Sequence, residues 1–361
     1  MTRPSPAAIG AAAVAACIVL ALGIVVTPPS PSLRPHSSGD AALARTVEED
    51  ARAGGALDRL SVAYIDLASE DAAVTTGFGA DDDTEYEIGS VTKTFTGHLF
   101  AIAIERDEVA PTETLAEIFP VLDGTPAGAV TLVGLSNHTS GLPSLDEAST
   151  PRVLLDTITN RNPYRGSVND LLEQAGRQQA SEPGTFRYSN LGMSLLGQAL
   201  AERAGVEYPE LVQERIFDPL QMTQSRMSFD GTDLQQPTTG YSATGVPQEA
   251  WSIAAFAPAG GIRSTLGDMT KYLRALLDGT APGAEAMDRH PGDGGIDEGY
   301  AWTIIDQEDG PTLTLHNGQT GGFASFLILD RAGGRGAIVL SNTAAQLPAV
   351  AVNLIEKGIT K

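Results

Sequence analysis

Short apolar runs cluster near both ends of the chain and are separated by turn residues. Runs of this length, rich in Val, Ile and Leu and bounded by Gly, Asp and Ser, are typical of β-strands. A sheet built from strands at both ends leaves the middle of the chain as an insertion. The predicted strands are Leu60–Asp66, Ala73–Phe78, Ala301–Ile305, Thr312–Leu315, Phe323–Leu329 and Gly336–Ser341.

Longer segments with helical spacing of apolar residues predict helices. One begins at Ser90 and ends by Asp107, and it is apolar enough to be buried. The fold class is therefore α/β (α+β), with a mostly helical insertion over roughly residues 110–260. The other predicted helices are Ala41–Leu57, Ser167–Ser181, Leu191–Ala204 and Gln346–Lys357.

Residues 7–26 are continuously apolar and follow Arg3, which predicts a membrane anchor with an exported remainder. A cleaved signal peptide and a lipoprotein carrying its lipid on Cys17 are the alternatives. All three place the rest of the chain outside the cytoplasm. A proline-rich linker is predicted over residues 27–45, followed by one domain over residues 46–361.

Composition excludes several classes of function. The chain has 361 residues, 42% of them hydrophobic and 19% charged, which is ordinary for a globular protein. Its net charge of -22 argues against nucleic acid as a partner. The acidic run Asp81–Asp83 lacks the spacing of a calcium loop, so we expect a solvated turn and no metal site. Cys17 is the only cysteine, which rules out an internal disulfide.

A Ser-x-x-Lys sequence opens the predicted buried helix. Ser90 and Lys93 are three residues apart and would share one helix face, so the hydroxyl and the amine can meet. A partly desolvated lysine can accept the proton of a serine and make it a nucleophile. Alone, the pair is more often a capping serine beside a surface lysine.

Two further segments carry candidate chemistry. Tyr188 and Asn190 precede a predicted helix, where a phenol can transfer protons and an amide can hold a substrate carbonyl. Near the C-terminus, a predicted strand runs into His316 and Gly318. A strand that ends in small residues lets a substrate backbone lie along its edge.

Ser-x-x-Lys, Tyr-x-Asn and His-x-Gly, in this order, resemble the motifs of the serine β-lactamase and penicillin-binding protein superfamily. The similarity is to its class C β-lactamase-like branch, with D-alanyl-D-alanine carboxypeptidases and esterases. Segments 136–143 and 259–265 resemble two loops of the same branch. The resemblance covers nearly all of residues 55–357 and implies an antiparallel sheet flanked by terminal helices.

The resemblance also implies roles for individual residues. Ser90 would be the nucleophile and Lys93 its proton acceptor, while Tyr188 would relay protons. Asn190 would help to hold the substrate and the lysine, and the backbone N–H groups of Ser90 and Gln319 would form the oxyanion hole. No metal or organic cofactor is implied, because acyl-enzyme chemistry needs none.

The third motif departs from the β-lactamase pattern. It usually reads Lys-Thr-Gly, and here His316 replaces the lysine in the segment that ends in Gly318. We expect a weaker, pH-dependent positive charge for a substrate carboxylate, and therefore less efficient penicillin hydrolysis. Arg263 is either a substitute charge or part of a structural ion pair.

Three functional hypotheses follow. The first is an extracytoplasmic serine hydrolase that acts on peptide amides, with the peptidoglycan stem peptide as a candidate substrate. The second is an esterase of the same fold. The third is a binding or sensing domain without catalysis, although such a domain would not need Ser90, Lys93, Tyr188 and Asn190 together.

Overall fold

A computed structural model describes residues 31–69, 73–145, 166–227, 238–291 and 297–360, together with residues 155, 156, 159, 161, 162 and 164. Residues 32–361 form one compact unit. Within the described residues, no helix is both long and apolar enough to cross a membrane. The predicted anchor over residues 7–26, with Cys17, lies outside them and stays a prediction.

A seven-stranded antiparallel sheet forms the centre of the unit. Its strand order is β1-β3-β2-β14-β13-β12-β11, so the last strands of the chain pair beside the first ones. The strands are β1 (His36–Gly39), β2 (Leu60–Asp66), β3 (Ala73–Phe78), β11 (Thr303–Asp306), β12 (Thr312–Gln319), β13 (Ala324–Asp330) and β14 (Arg335–Ser341).

Both faces of this sheet are covered, which explains why its central strands read as continuous apolar runs. Every residue of β13 is buried. Successive side chains point to opposite faces, so Leu327 and Ile338 belong to one core cluster, and Ile328 and Val339 to the other. The prediction of a sheet made from both ends of the chain is confirmed.

Two terminal helices cover one face. They are α1 (Ala41–Ala53) and α10 (Pro348–Lys357). The side chain of Asp40 caps α1 by accepting a hydrogen bond from the backbone N–H of Leu43 at 2.7 Å. Leu43 and Leu354 are fully buried in the core cluster under these helices.

The helical insertion covers the opposite face, and α2 (Thr92–Glu105) runs through its core. Twelve consecutive residues of α2, from Thr92 to Ala103, are buried, as expected for a helix that is apolar on all sides. The other helices are α3 (Leu115–Ile118), α4 (Leu132–Ser136), α5 (Val168–Gly176), α6 (Asn190–Ala204), α7 (Tyr208–Val212), α8 (Ala257–Gly260) and α9 (Leu266–Asp278).

Outside the large sheet, the described residues also form short strands that the apolar pattern does not predict. One small sheet has the order β4-β8-β5, and two separate pairs are β6-β7 and β9-β10. The strands are β4 (Glu85–Glu87), β5 (Arg226–Met227), β6 (Gly240–Tyr241), β7 (Pro247–Gln248), β8 (Ile262–Thr265), β9 (His290–Pro291) and β10 (Asp297–Glu298).

The structure differs from the sequence prediction at the start of the domain. The expected linker over residues 27–45 contains β1 and the beginning of α1, so the folded unit begins before residue 46. Strand β1 has the polar sequence His-Ser-Ser-Gly and joins the sheet through backbone pairing with β3. An apolar pattern cannot reveal such a strand.

Candidate active site

Ser90 lies in a single 3₁₀ turn, Gly89–Val91, that leads directly into α2. The backbone of Gly89 has a φ of +50°, a conformation that favours glycine. The turn therefore brings the serine to the N-terminal end of a buried helix. Unpaired backbone N–H groups are concentrated at such an end.

Lys93 lies one turn further along and is fully buried. Its Nζ is 2.8 Å from Ser90 Oγ and donates a second hydrogen bond, at 2.5 Å, to the backbone carbonyl of Ala259. Burial lowers the pKa of Lys93 well below its usual value, because a desolvated ammonium is disfavoured. The amine next to the serine is thus poised to accept a proton.

Tyr188 completes the contacts of the serine. Its hydroxyl donates to Ser90 Oγ at 2.7 Å, and its ring centroid is 5.0 Å from Lys93 Nζ. Burial raises the pKa of Tyr188 to about 12, while the hydrogen bond with Ser90 lowers it in part. The phenol therefore keeps its proton at neutral pH.

His138 positions the segment that carries Tyr188. The two rings lie 4.5 Å apart, and the backbone N–H of Ser189 donates to His138 Nδ1 at 3.2 Å. Ser189 Oγ accepts from the N–H of Gly192 and so caps α6. The sequence analysis did not select His138 itself, although it did single out the segment 136–143 that contains it.

Asn190 is the first residue of α6, and its side-chain amide donates to the hydroxyl of Tyr164 at 3.0 Å. Lys93 is oriented by the carbonyl of Ala259, a backbone partner that no motif reveals. Asn190, which was expected to hold the lysine as well, lines a small cleft together with Ser90. The cleft is formed by Gly89, Ser90, Tyr164, Asn190, Trp251, Ile253, Ala259, Gly260 and Gln319.

The end of β12 approaches the serine turn closely. A Cβ atom on Gly318 would lie 2.1 Å from the carbonyl oxygen of Ile88 and 3.0 Å from the backbone nitrogen of Ser90. A Cβ atom on Gly89 would lie 2.8 Å from the backbone nitrogen of Gln319. Only glycine at both positions allows this contact.

The pairing of β12 with β13 determines the direction in which the backbone N–H of Gln319 points. Just beyond the ends of the two strands, the N–H of Thr320 donates to the carbonyl of Phe323 at 3.0 Å, which continues the pairing of β12 with β13. Successive N–H groups of a strand point to opposite sides, so the N–H of Gln319, opposite Ala324, points away from β13. Together with the N–H of Ser90, it can face a developing negative charge.

His316 differs from the expectation of a pH-dependent positive charge. Its ring is buried, and Nδ1 is 2.7 Å from the backbone oxygen of Asn317. Burial lowers the pKa of His316 to about 4. The ring is therefore neutral at physiological pH, and the positive charge at this position is even weaker than the sequence analysis expected.

Of the two expectations for Arg263, a substitute charge for the substrate or a structural ion pair, the structure confirms the ion pair. It is 1% exposed and contacts Glu85 at 2.9 Å and Glu87 at 2.5 Å. These contacts hold β8 against β4. The guanidinium is thus engaged within the small sheet.

Within the described part of the chain, no group of three His, Cys, Asp or Glu side chains is placed to hold a metal ion. The organisation around Ser90 uses a hydroxyl, an amine, a phenol and backbone N–H groups. These are the groups that nucleophilic catalysis with general acid–base assistance requires.

Comparison with known proteins assigns the family. A family model described as Beta-lactamase matches residues 43–357. The chain belongs to the beta-lactamase family. Members of this family are serine hydrolases, and the site around Ser90 has the corresponding groups.

Two curated relatives illustrate the range of this family. The chain is 26% identical over 246 residues to a beta-lactamase of Escherichia coli (strain K12), covering 64% of this chain and 60% of that protein. It is 29% identical over 204 residues to the D-alanyl-D-alanine-carboxypeptidase/endopeptidase AmpH of the same strain, covering 54% and 49%. The matches thus span about half to three fifths of these relatives.

Solved structures confirm the fold. A D-alanine carboxypeptidase AmpC from Burkholderia cenocepacia superimposes with a TM-score of 0.70 at 20% identity, covering 87% of this chain and 97% of that one. A class C beta lactamase from Rhodobacter sphaeroides gives 0.68 at 22% identity, covering 84% and 94%. The predicted β-lactamase/transpeptidase-like fold is therefore correct.

The contact between β12 and the serine turn generates a prediction. Gly318→Ala would place a methyl group against the Ile88 carbonyl, so we expect the free energy of unfolding to fall by about 1–3 kcal/mol. Urea denaturation followed by circular dichroism would measure the change.

Gly176→Ala is the matched control, because its Cβ atom would have no neighbour closer than 3.6 Å and lies at the end of α5. It should change stability by no more than about 0.5 kcal/mol. Equal stability of the two variants would show that the close approach at Gly318 is not required.

Proposed function

We propose that this chain is a serine hydrolase that forms an acyl-enzyme on Ser90 and acts on peptide amides of the D-alanyl-D-alanine type. The observation that carries the proposal is the pair of hydrogen bonds to Ser90 Oγ, at 2.8 Å from Lys93 and 2.7 Å from Tyr188. A hydroxyl held between a neutral amine and a protonated phenol has both a proton acceptor and a proton donor in reach.

Acylation would begin with attack of Ser90 Oγ on the substrate carbonyl carbon. The serine proton passes to Lys93 Nζ as the new C–O bond forms. The carbonyl oxygen becomes an oxyanion, which accepts hydrogen bonds from the N–H groups of Ser90 and Gln319. Each such donor is commonly worth about a hundredfold or more in rate.

Collapse of the tetrahedral intermediate would break the bond to the leaving group. Tyr188 donates its proton to the departing nitrogen. Lys93, whose Nζ lies 5.0 Å from the centroid of the Tyr188 ring, then reprotonates the phenol. In the second half of the reaction, the Tyr188–Lys93 pair takes one proton from the water that attacks the acyl carbon. The pair returns this proton to Ser90 Oγ as the bond between Oγ and the acyl carbon breaks.

A peptide substrate is supported by two observations. The end of β12 borders the serine turn, so a substrate backbone can lie along it and bond to the N–H of Gln319. One relative is named a D-alanyl-D-alanine-carboxypeptidase/endopeptidase. The peptidoglycan stem peptide would be within reach if residues 7–26 anchor the protein outside the cytoplasm, which we also propose.

An ester substrate is the second candidate, and a specific feature favours it. His316 is neutral at physiological pH and Arg263 is engaged with Glu85 and Glu87. Neither residue offers a charge for the carboxylate of a D-alanine leaving group. A small neutral ester would not need one.

Ser90→Ala tests the proposal. The substitution removes the nucleophile and should lower hydrolysis of N-acetylated D-alanyl-D-alanine by at least about a thousandfold, with the unfolding transition unchanged. Released D-alanine would be measured with the purified protein, in parallel with p-nitrophenyl acetate and butyrate.

The two substrate classes separate the candidates. D-Alanine release by wild type, lost in Ser90→Ala, supports the peptidase. Ester hydrolysis without D-alanine release supports the esterase. Equal turnover by wild type and Ser90→Ala would remove the serine from both mechanisms.

The depressed pKa of Lys93 predicts the pH dependence of the reaction. The amine must be neutral to accept the serine proton, so kcat/KM should rise with pH and level off well below 10.5, the usual pKa of a lysine. Initial rates between pH 5 and pH 11, corrected for spontaneous hydrolysis, would show it. A rate that climbs without levelling to pH 10 would contradict the role of Lys93.

A further inference from the structure

Tyr188 lines a second cavity, which is distinct from the small cleft lined by Ser90. It has a volume of about 390 Å³, enough for a group of several non-hydrogen atoms. The exposed ring of Phe186 stands at its wall. The cavity is lined by Ser136, Asn137, His138, Phe186, Tyr188, Glu298, Gly299, Ala301, Trp302, Thr303, His316 and Asn317.

Tyr188 links this cavity to the reaction. Its side chain lines the cavity, while its hydroxyl donates to Ser90 Oγ at 2.7 Å. Ser90 and Gln319, whose N–H groups would bind the oxyanion, line the small cleft instead. A departing group that takes its proton from Tyr188 must leave on the phenol side, so this cavity is placed to receive it.

The charge of the cavity is set by Glu298. Among the described lining residues it is the only acidic side chain, and none is a lysine or arginine. One carboxylate oxygen of Glu298 accepts from the backbone N–H of Ile304 at 3.1 Å. The two histidines do not balance it, because burial lowers the pKa of His138 well below its usual value and that of His316 to about 4.

Three lining residues have buried side-chain N–H groups without a hydrogen-bond partner in the described part of the chain. They are Asn137 Nδ2, His138 Nε2 and Trp302 Nε1. His138 Nδ1 accepts from Ser189, so the proton of the neutral ring is on Nε2. Unpaired buried donors are costly, and an acceptor on a bound group would offset that cost after a small side-chain movement.

We propose that this cavity is the leaving-group subsite and that Glu298 makes it select leaving groups with an ammonium group over those with a carboxylate. The inference rests on the proposed hydrolase function and refines its substrate class. The preferred substrates would be amides or esters whose departing part has a positive charge near Glu298 and an oxygen acceptor near the donors. Among D-alanyl amides, one that releases D-alanine would bind less tightly than one that releases a cationic group.

Three amides of N-acetyl-D-alanine test the charge preference. Their leaving groups are ethylenediamine, glycinamide and glycine, which are similar in size and are positive, neutral and negative. Binding to Ser90→Ala, which cannot turn them over, would be measured by NMR titration to 20 mM. The ethylenediamine amide should bind about five- to tenfold more tightly than the glycine amide, a range discounted for the partial exposure of Glu298.

Glu298→Gln in the Ser90→Ala background should reduce this ratio to below about twofold, since the amide oxygen still accepts from Ile304 but has no charge. Glu308→Gln is the matched control, because Glu308 is exposed in the turn between β11 and β12 and does not line the cavity. It should leave the ratio unchanged.

The outcomes separate this inference from the proposed function. A preference that persists in Glu298→Gln, a preference lost equally in Glu308→Gln, or no detectable binding of any amide would overturn the inference. Wild-type turnover of the same amides reports on the function independently. A Glu298-dependent preference without turnover would support the subsite while refuting amide hydrolysis.

Discussion

The site depends on the burial of the Lys93 amine against the Ser90 hydroxyl. An ammonium with no water around it is disfavoured, and the structure encloses this one completely. The ring of Tyr188 and the carbonyl of Ala259 lie against it. The result is an amine with a depressed pKa, 2.8 Å from the serine, and the reaction that we propose begins there.

The rest of the fold maintains that environment. Helix α2 is buried along nearly its whole length, and Lys93 is enclosed with it. The sheet contributes from the other side, because β12 approaches the serine turn to the distance that Gly318 allows. The insertion contributes Tyr188, held by the ring of His138. Sheet, helix and insertion therefore each supply one wall of the site.

The site has two compartments, a cleft lined by Ser90 and Gln319 and a cavity lined by Tyr188 and Glu298. In the arrangement that we propose, the acyl part of the substrate is held at Ser90 and the departing part enters the cavity. The two compartments differ in charge. Such a division gives selectivity for the leaving group separately from selectivity for the acyl group.

Much of this arrangement can be predicted from the sequence. The buried strands β2, β13 and β14 are apolar because both faces of the sheet are covered, and α2 is apolar because it is enclosed. Ser90, Lys93 and Tyr188 are recognisable from their spacing and order. The structure brings their polar atoms into direct contact.

Other features depend on contacts that a single sequence does not reveal. Strand β1 is polar and joins the sheet by backbone pairing with β3. The lowered pKa of His316 follows from its burial, which no motif encodes. The positive charge at this position is therefore weaker than the sequence analysis expected. The partner of Lys93 is a backbone carbonyl, at Ala259, that any residue type could supply.

The central claim is that Ser90 is the nucleophile, and trapping the acyl-enzyme tests it most directly. The protein would be mixed with penicillin or p-nitrophenyl acetate, quenched in acid and examined by intact-mass and peptide mass spectrometry. The account predicts an acyl adduct on the peptide that contains Ser90, absent from Ser90→Ala. An adduct of equal abundance in Ser90→Ala, or one located on another residue during turnover, would contradict it.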